Sequence, residues 1–209
     1  SHKDPIKGRG TSAHIDGRYN AHQRETVEDG WFQEPDNPPK TTVEIEQPKT
    51  IITRNQSPDL PFSQSINPYR GREHGCIYCY ARPSHAYLGL SPGLDFETRL
   101  TAKPNAAILL KKELAAKSYS CSPISLGANT DPYQPIERRL KITRSILEVL
   151  AAHAHPVSIV TKSALVSRDL DILGPMAAKG LATVGVSVTT LDAELAQNME
   201  PRATRPERR

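Results

Sequence analysis

The sequence predicts an α/β fold in which parallel strands alternate with helices, and three observations carry this prediction. Strand candidates begin near residues 123, 157 and 183, roughly 30 residues apart, which is the length of a strand–helix–strand unit. A helical pattern follows each strand, and no tight hairpin signal joins neighbouring strands, which favours parallel pairing. The pattern stops at Arg209 soon after a helix begins, so we expect the sheet to be incomplete at its carboxyl-terminal end.

Composition and charge limit the classes of protein to which the chain can belong. Hydrophobic residues make up 37% of the 209 residues and 18 residues are proline, so we expect a folded core with a polar, irregular appendage. The net charge of +4 permits a polyanion partner without implying one. Three cysteines do not suggest a secreted disulfide framework. No apolar stretch reaches the roughly 20 residues of a membrane span. We therefore expect a cytoplasmic protein that does not associate with membranes.

Residues 1–60 are predicted to form an irregular leader, and residues 61–209 are predicted to form the core domain. The proline-rich run at 34–39 interrupts any helical period within the leader. Residues 42–46 alternate weakly in polarity as a strand does, and residues 51–53 are a second strand candidate. In an alternative interpretation, the whole leader packs on the core domain as a cap.

From residue 61 onward, short apolar runs alternate with helical patterns. Residues 65–67 lead as a strand into a cysteine loop at 72–79. Helical segments are predicted to include 85–88 and 105–117. Residues 123–127 then form a buried strand that ends in a polar turn.

Two further strand–helix units complete the predicted core. Strand 157–160 is followed by a helix that Ser167 is predicted to cap and Gly180 to end. The last strand covers 184–188, and Asp192 suits the first turn of a final helix. The helix before strand 157–160 is the clearest in the chain because its apolar side recurs at helical spacing; this side comprises Ile136, Leu140, Thr143, Leu147 and Leu150.

A Cys-x-x-Cys pair, Cys76 and Cys79, is the chemical centre of the sequence. A short loop brings two such thiolates toward one metal ion or cluster. The pair alone is shared by zinc sites, redox dithiols and iron–sulfur sites. No second Cys-x-x-Cys and no closely spaced histidine pair completes a zinc site. The redox-dithiol interpretation is also disfavoured, because the pair lies early in a long series of strands and helices.

The residues around this pair closely resemble the cluster loop of the radical SAM enzymes. Residues 66–85 (INPYRGREHGCIYCYARPSH) carry the resemblance, and further matches follow in order at 129–137 (NTDPYQPIE), 188–192 (VTTLD) and 200–202 (EPR). More narrowly, the pattern is similar to the branch related to spore photoproduct lyase, whose members are often labelled DNA repair photolyases. Several separate matches in order are far more specific than one motif.

This resemblance implies a partial (β/α)6 TIM-like barrel and two cofactors. In the family, three cysteines spaced Cys-x3-Cys-x2-Cys hold a [4Fe–4S] cluster, whose fourth iron binds the amino and carboxylate groups of S-adenosylmethionine. The reduced cluster cleaves this cofactor to methionine and a 5′-deoxyadenosyl radical, which abstracts hydrogen from the substrate. The resemblance therefore also implies an electron donor such as flavodoxin or ferredoxin.

The sequence departs from the family motif at the first cluster ligand. Cys76 and Cys79 match the second and third positions and are the predicted metal ligands, but the first position is Arg72. A guanidinium stays protonated and offers iron no acceptor, so it cannot replace a thiolate. Cys121 precedes a predicted strand and so lies at the wrong end of a parallel sheet to complete the set. We therefore expect any cluster to be labile or substoichiometric.

Six further residues are candidate cofactor-binding residues. The aromatic residue just before the second cysteine resembles the family position near the adenine of S-adenosylmethionine, although it could equally be a core tyrosine. The polar run at 129–131 ends a predicted strand, where ligand groups gather in parallel barrels, although the same residues suit an ordinary turn. The end of strand 184–188 contributes two hydroxyl groups. The predicted set is Tyr78, Asn129, Thr130, Asp131, Ser187 and Thr189.

These observations leave two main hypotheses of function. The first is a radical SAM protein that binds an iron–sulfur cluster and reductively cleaves S-adenosylmethionine, with nucleic acid as a candidate substrate and with its activity in doubt because of Arg72. The second is a catalytically inactive nucleic-acid-binding module of the same ancestry. A salt-sensitive affinity for DNA would favour the second hypothesis.

Overall fold

The computed structural model describes residues 6–16 and 39–209, which form a mixed α/β fold. Strands and helices alternate along most of the described chain, as the sequence predicts. The strands are β1 (Thr42–Ile45), β2 (Ile52–Arg54), β3 (Gln64–Ile66), β4 (Tyr69–Arg70), β5 (Arg99–Ala102), β6 (Ile124–Leu126), β7 (Val157–Thr161) and β8 (Ala182–Val186). The α-helices are α1 (Asp95–Thr98), α2 (Ala106–Leu114), α3 (Glu137–Leu140), α4 (Ile142–Ala152), α5 (Leu170–Ala177) and α6 (Ala193–Met199), and 3-10 helices cover Arg82–Leu88, Ala164–Asp169 and Pro206–Arg208.

The larger sheet has five strands in the order β2-β3-β6-β7-β8. Strands β3, β6, β7 and β8 run parallel, so that Ile66 pairs with Leu126, Leu126 with Ile159, and Ile159 with Val184. Strand β2 instead runs antiparallel to β3, and the loop of residues 55–63 between them is closed by a hydrogen bond from the Asn55 amide to the Ser63 carbonyl at 2.8 Å. Among the described residues the sheet is open, with β2 and β8 at its edges. A closed barrel stays a prediction.

A second, three-stranded sheet has the order β1-β5-β4, and the sequence predicts only its first strand. Strand β1 pairs parallel to β5, and β4 pairs antiparallel to β5. The predicted strands at 42–46 and 51–53 therefore both form, as β1 and β2. The proposed boundary at residue 60 stays a prediction, and the predicted leader also includes residues 1–5 and 17–38, which lie outside the described ranges.

The hydrophobic core lies between the larger sheet and the helices α2, α4 and α5. Leu110 of α2, Leu147 of α4 and Ile159 of β7 are almost inaccessible to solvent within it. Burying each such side chain contributes about 1.5–3 kcal/mol. The longest helix, α4, has 11 residues, and no helix in the described part of the chain is both long and apolar enough to cross a bilayer.

Two helix boundaries differ from those that the sequence predicts. The single helix expected over 136–150 is divided into α3 and α4 by Lys141, whose φ of 51° places it in the left-handed region. The divided form lets the Glu137 carboxylate accept the Thr143 amide at 3.0 Å, which caps α4. The predicted cap Ser167 is wrong, because its hydroxyl donates to the Ala164 carbonyl. The first turn after β7 is instead capped by Ser163, which accepts the Leu165 amide.

Candidate functional site

A pocket of about 450 Å³ opens at the carboxyl ends of the parallel strands β6 and β7. Its walls are formed by the cysteine loop, the turn after β6, the residues that follow β7 and β8, and Leu60 and Phe62 from the connection between β2 and β3. This is the end at which parallel α/β sheets gather their ligand-binding groups. The main lining residues are Arg72, Tyr78, Cys79, Tyr80, Ser125, Gly127, Asn129, Asp131, Val160, Thr161, Lys162 and Ser187.

The turn after β6 is shaped by Gly127. Its φ is 86°, and a Cβ at this position would lie 2.4 Å from Pro132, so only glycine fits the turn. The Gly127 amide donates to the Ile66 carbonyl at 2.8 Å, and the Asn129 amide donates to Asn67 Oδ1 at 2.8 Å. These two bonds fix the turn against Ile66 of β3 and against Asn67. The Asn129 side chain itself makes no hydrogen bond with the described residues.

The cysteine loop is fixed at both ends. At its start, the Gly71 carbonyl accepts a hydrogen bond from Thr130 Oγ1 at 2.7 Å. At its far end, the Ile77 amide donates to the Met199 carbonyl of α6 at 3.1 Å. Cys76 is buried and Cys79 lies on the pocket wall. The two predicted metal ligands therefore lie in one short loop beside the pocket.

The side chain of Arg72 points at these sulfurs. Its Nη1 donates to Cys79 Sγ at 3.8 Å, and its Nε is buried with no hydrogen-bond partner. Arg72 also lines the pocket. The residue at the sequence position of the family's first thiolate is therefore a cation that contacts Cys79.

The residues present do not fit a cluster held by three thiolates. Burial raises the pKa of the Cys76 thiol to about 11, against a smaller opposing effect of Arg72. Cys121 is exposed and precedes β6, at the opposite end of the strands from Cys79. No group of three cysteine, histidine or carboxylate side chains that could hold a metal ion occurs within residues 6–16 and 39–209. The guanidinium of Arg72 supplies no ligand to replace the missing one.

A buried network of opposite charges joins the end of β7 and the chain after α6 to the cysteine loop. Lys162 Nζ lies 2.9 Å from Glu200 Oε1, and it donates to Ser187 Oγ at 2.8 Å and to Thr189 Oγ1 at 3.1 Å. The ammonium also lies 5.4 Å from the centroid of the Tyr78 ring. Burial lowers the pKa of Lys162, with the nearby arginine charges adding to the effect. The network brings residues from four segments of the chain to one wall.

Two further contacts complete this network. Tyr78 donates its hydroxyl hydrogen to the buried carboxylate of Glu200, and its oxygen lies 2.8 Å from Thr189 Oγ1. Arg209 Nη2 lies 2.5 Å from Glu200 Oε2. Glu200 therefore meets two cations and two hydroxyl groups, which balances a charge that would be costly to bury alone.

Asp131 connects the pocket to the region behind it. Its carboxylate accepts Thr161 Oγ1 at 2.6 Å and the Lys162 amide at 2.8 Å. His74 Nδ1 lies 3.4 Å from the same carboxylate without forming a well-directed hydrogen bond. Because burial lowers the pKa of His74 to about 4, this contact is not an ion pair at neutral pH. Asp131 orders the end of β7 as well as lining the pocket.

The structure brings most of the predicted site residues together. Tyr78, Asn129, Asp131 and Ser187 line the pocket beside the cysteine loop. Thr189 lies outside the lining and contacts it through the bonds to Tyr78 and Lys162. The remaining residues of the predicted set, Thr130 and Cys76, are buried behind the wall. Their roles toward a ligand stay predictions.

Sequence reasoning did not name Lys162 or Glu200 as site residues, although Glu200 lies in the matched segment 200–202; the two form the centre of the charged wall. Lys162 comes directly after β7, so the rule that selected residues 129–131 at the end of a strand could have found it. Glu200 lies 38 residues further along the chain, and no sequence motif links it to Lys162. Only the folded chain reveals their pairing.

Comparison of the sequence with curated proteins finds relatives in Mycobacterium tuberculosis and Methanocaldococcus jannaschii. The chain is 41% identical over 150 residues to an uncharacterized protein of Mycobacterium tuberculosis strain H37Rv, covering 72% of this chain and 44% of the relative. It is 32% identical over 145 residues to an uncharacterized protein of Methanocaldococcus jannaschii, covering 69% of this chain and 51% of the relative. The chain therefore spans about half the length of these curated relatives. No protein-family model matches it.

Comparison with solved structures shows the fold. Spore photoproduct lyase complexed with dinucleoside spore photoproduct matches with a TM-score of 0.55 at 14% identity, over 80% of this chain and 45% of the lyase. A mutant of the lyase with bound AdoMet and dinucleoside spore photoproduct matches with a TM-score of 0.53 at 14% identity, over 80% and 44% of the two chains. The protein thus has a mixed α/β fold that resembles the lyase, which supports the radical SAM-like fold implied by the sequence.

Proposed function

We propose that the pocket binds S-adenosylmethionine or a closely related adenosyl ligand without an iron–sulfur cluster, and that the chain does not cleave this ligand reductively in its present form. The observation that carries the proposal is the guanidinium of Arg72, which lines the pocket and donates to Cys79 Sγ, at the sequence position where the family motif has its first thiolate. The other pocket residues lie at the carboxyl ends of the parallel strands, where α/β sheets bind their ligands.

Arg72 supplies the charge that such a ligand needs. In the family, the ligand's carboxylate is bound by an iron of the cluster; here Arg72, whose Nε has no hydrogen-bond partner, lines the pocket next to Cys79. A guanidinium binds a carboxylate through two parallel hydrogen bonds, which are stronger than neutral ones. Arg72 is therefore suited to hold the anionic end of the ligand in place of a metal.

The rest of the pocket is suited to a nucleoside. Tyr78 and Tyr80 expose aromatic surface on the cysteine loop, on which a purine base can stack. The free side-chain amide of Asn129 offers both a donor and an acceptor to ribose or base. Lys162, held by Glu200, keeps the wall next to Tyr78 ordered and charged. These groups bind and orient, and none of them supplies an electron.

The proposal extends to this chain what the lyase structure with bound AdoMet shows of another protein with this fold. Because the chain spans about half of its curated relatives, a substrate for the whole protein is not part of the proposal. Reductive cleavage would require a third thiolate, so we expect it to be absent here.

Isothermal titration of the iron-free chain with S-adenosylmethionine tests the proposal. We expect saturable binding, with Arg72→Gln weakening it about tenfold or more because a charged hydrogen bond is worth about 1.5–3 kcal/mol. Arg70→Gln is the matched control, since Arg70 is exposed and pairs with Glu46; it should leave the affinity unchanged. Equal affinities of the wild type and Arg72→Gln would contradict the assignment of Arg72.

Restoring the thiolate provides an independent readout. After anaerobic treatment with iron and sulfide, Arg72→Cys should hold more iron than the wild type. It should also show absorbance at about 400 nm, as thiolate-bound iron–sulfur clusters do. Firm binding of a complete cluster by the unmodified chain would contradict the proposal that Arg72 excludes it.

A further inference from the structure

A second concave surface, separate from the pocket, is lined by arginines. It is a groove of about 700 Å³ between the turn after β7 and the chain that follows α6. None of the described residues that line it is a carboxylate. The cationic residues are Arg138, Arg168, Arg202, Arg205 and Arg208.

The groove carries uncompensated positive charge. Arg168 is neutralised by Glu137 and Asp169, and Arg202 is paired with Glu73 at 3.0 Å. The other three arginines are exposed and make no side-chain hydrogen bond or ion pair with any described residue. A structural role in the fold does not account for these three, which are Arg138, Arg205 and Arg208.

The backbone that carries these arginines is fixed. After α6, the Arg202 amide donates to the His74 carbonyl at 3.1 Å, and Thr204 Oγ1 accepts the Ala164 amide at 3.1 Å. Further along, Arg209 Nη1 donates to the Ser187 carbonyl at 3.0 Å. The segment is therefore tied to the cysteine loop, to the turn after β7 and to the end of β8, and its side chains project from an ordered surface.

We propose that this groove is a binding site for a ligand that presents adjacent phosphate groups. Arginine is the side chain best suited to this chemistry, because its planar fork donates two parallel hydrogen bonds to phosphate oxygens. Three unpaired guanidinium groups, on a surface whose described lining residues include no carboxylate, attract such a ligand. The adjacent phosphates can belong to a free polyphosphate or to the backbone of a nucleic-acid strand.

The groove is distinct from the adenosyl pocket, although the two share a wall. Lys162 lines the pocket and Ser163 lines the groove, and Asp131 on the pocket side contacts His74 on the groove side. The groove proposal does not depend on which ligand the pocket takes. A variant in the groove therefore distinguishes the two sites.

Fluorescence anisotropy and calorimetry on the whole 209-residue chain test the proposal. The probes are inorganic tripolyphosphate and a labelled oligothymidylate of about 12 nucleotides, each titrated from about 50 to 200 mM salt. The test variant combines Arg138→Ser, Arg205→Ser and Arg208→Ser. The matched control combines Arg139→Ser, Lys112→Ser and Lys179→Ser, which remove the same charge from exposed positions outside the groove.

We expect the wild type to bind at least one probe, the groove variant to lose about tenfold or more in affinity at low salt, and its salt dependence to fall by about two released ions. At the same low salt, the charge control should lose clearly less affinity than the groove variant, because its charges lie outside the groove. Binding of both probes would show that the groove accepts the phosphates of a nucleic-acid strand as well as those of a free polyphosphate. Binding of tripolyphosphate alone would show that the ligand is a free polyphosphate. No binding of either probe, or equal losses in the two variants, would overturn the proposal.

Discussion

At the scale of single residues, one substitution decides the chemistry of the site. The motif can be recognised in the sequence at Cys76 and Cys79, and so can its departure at Arg72. What the sequence could not provide is where the guanidinium goes, because an exposed arginine at this position would leave the sulfurs free. The structure directs Arg72 at Cys79 and leaves its Nε buried and unpaired. With this orientation, the change from cysteine to Arg72 removes a cluster ligand and at the same time places a positive charge beside Cys79.

Glu200 is the residue whose loss should most disturb the site. It is almost fully buried and balances both Lys162 and Arg209. We expect Glu200→Gln to lower the free energy of unfolding by about 3 kcal/mol, because removing one partner leaves buried cations uncompensated. Urea denaturation measures the loss. The control Glu194→Gln, at an exposed position on α6, should stay within about 0.5 kcal/mol of the wild type.

His155 should make stability depend on pH. It is buried, its Nε2 lies 2.6 Å from the Tyr119 hydroxyl, and burial lowers its pKa in the folded chain. The unfolded chain therefore binds more protons below its ordinary pKa of about 6.5, and the stability that neutral His155 provides above that pH is lost as the pH falls.

The measurement is the free energy of unfolding from about pH 7 to pH 5. We expect His155→Gln to reduce the slope by up to about one proton, whereas His153→Gln, which removes an exposed neighbour, should preserve it. An unchanged slope in His155→Gln would mean that the folded chain protonates this residue normally.

At the scale of secondary structure elements, hydrophobic periodicity predicts the long helices and buried strands but not the short ones. The buried strands β6 and β7 and the helices α2 and α4 follow the apolar pattern, and the apolar run of β8 forms an exposed edge strand. Helix α1 and strand β5 have four residues each, too few for a period to appear. They form because β5 lies between β1 and β4, and this pairing exists only in the assembled fold.

The break between α3 and α4 provides a test at this scale. Lys141 adopts a left-handed conformation that costs a side-chain-bearing residue about 1–2 kcal/mol, and glycine avoids this cost while losing more entropy on folding. We expect Lys141→Gly to raise the free energy of unfolding by about 0.5 kcal/mol. Lys112→Gly in the interior of α2 should instead lower it by about 1 kcal/mol. Thermal and urea denaturation measure both changes.

At the scale of the whole molecule, the larger sheet ends at β8, which pairs with β7 alone among the described residues. Strand β8 exposes Val184 and Val186, and exposed apolar edge strands promote association with other chains. We expect the 209-residue chain to self-associate through this edge. Sedimentation velocity over a range of concentrations should show that Val184→Lys combined with Val186→Lys reduces association. Ile108→Lys, on the exposed face of α2, should not reduce it.

The most direct measurement of the central claim is equilibrium binding of radiolabelled S-adenosylmethionine to the chain before and after cluster reconstitution, with iron content determined on the same samples. The account predicts about one ligand bound per chain in the iron-free sample, with no gain on reconstitution, because Arg72 in place of a thiolate provides the anchor. Binding that appears only when iron and sulfide are incorporated would contradict it.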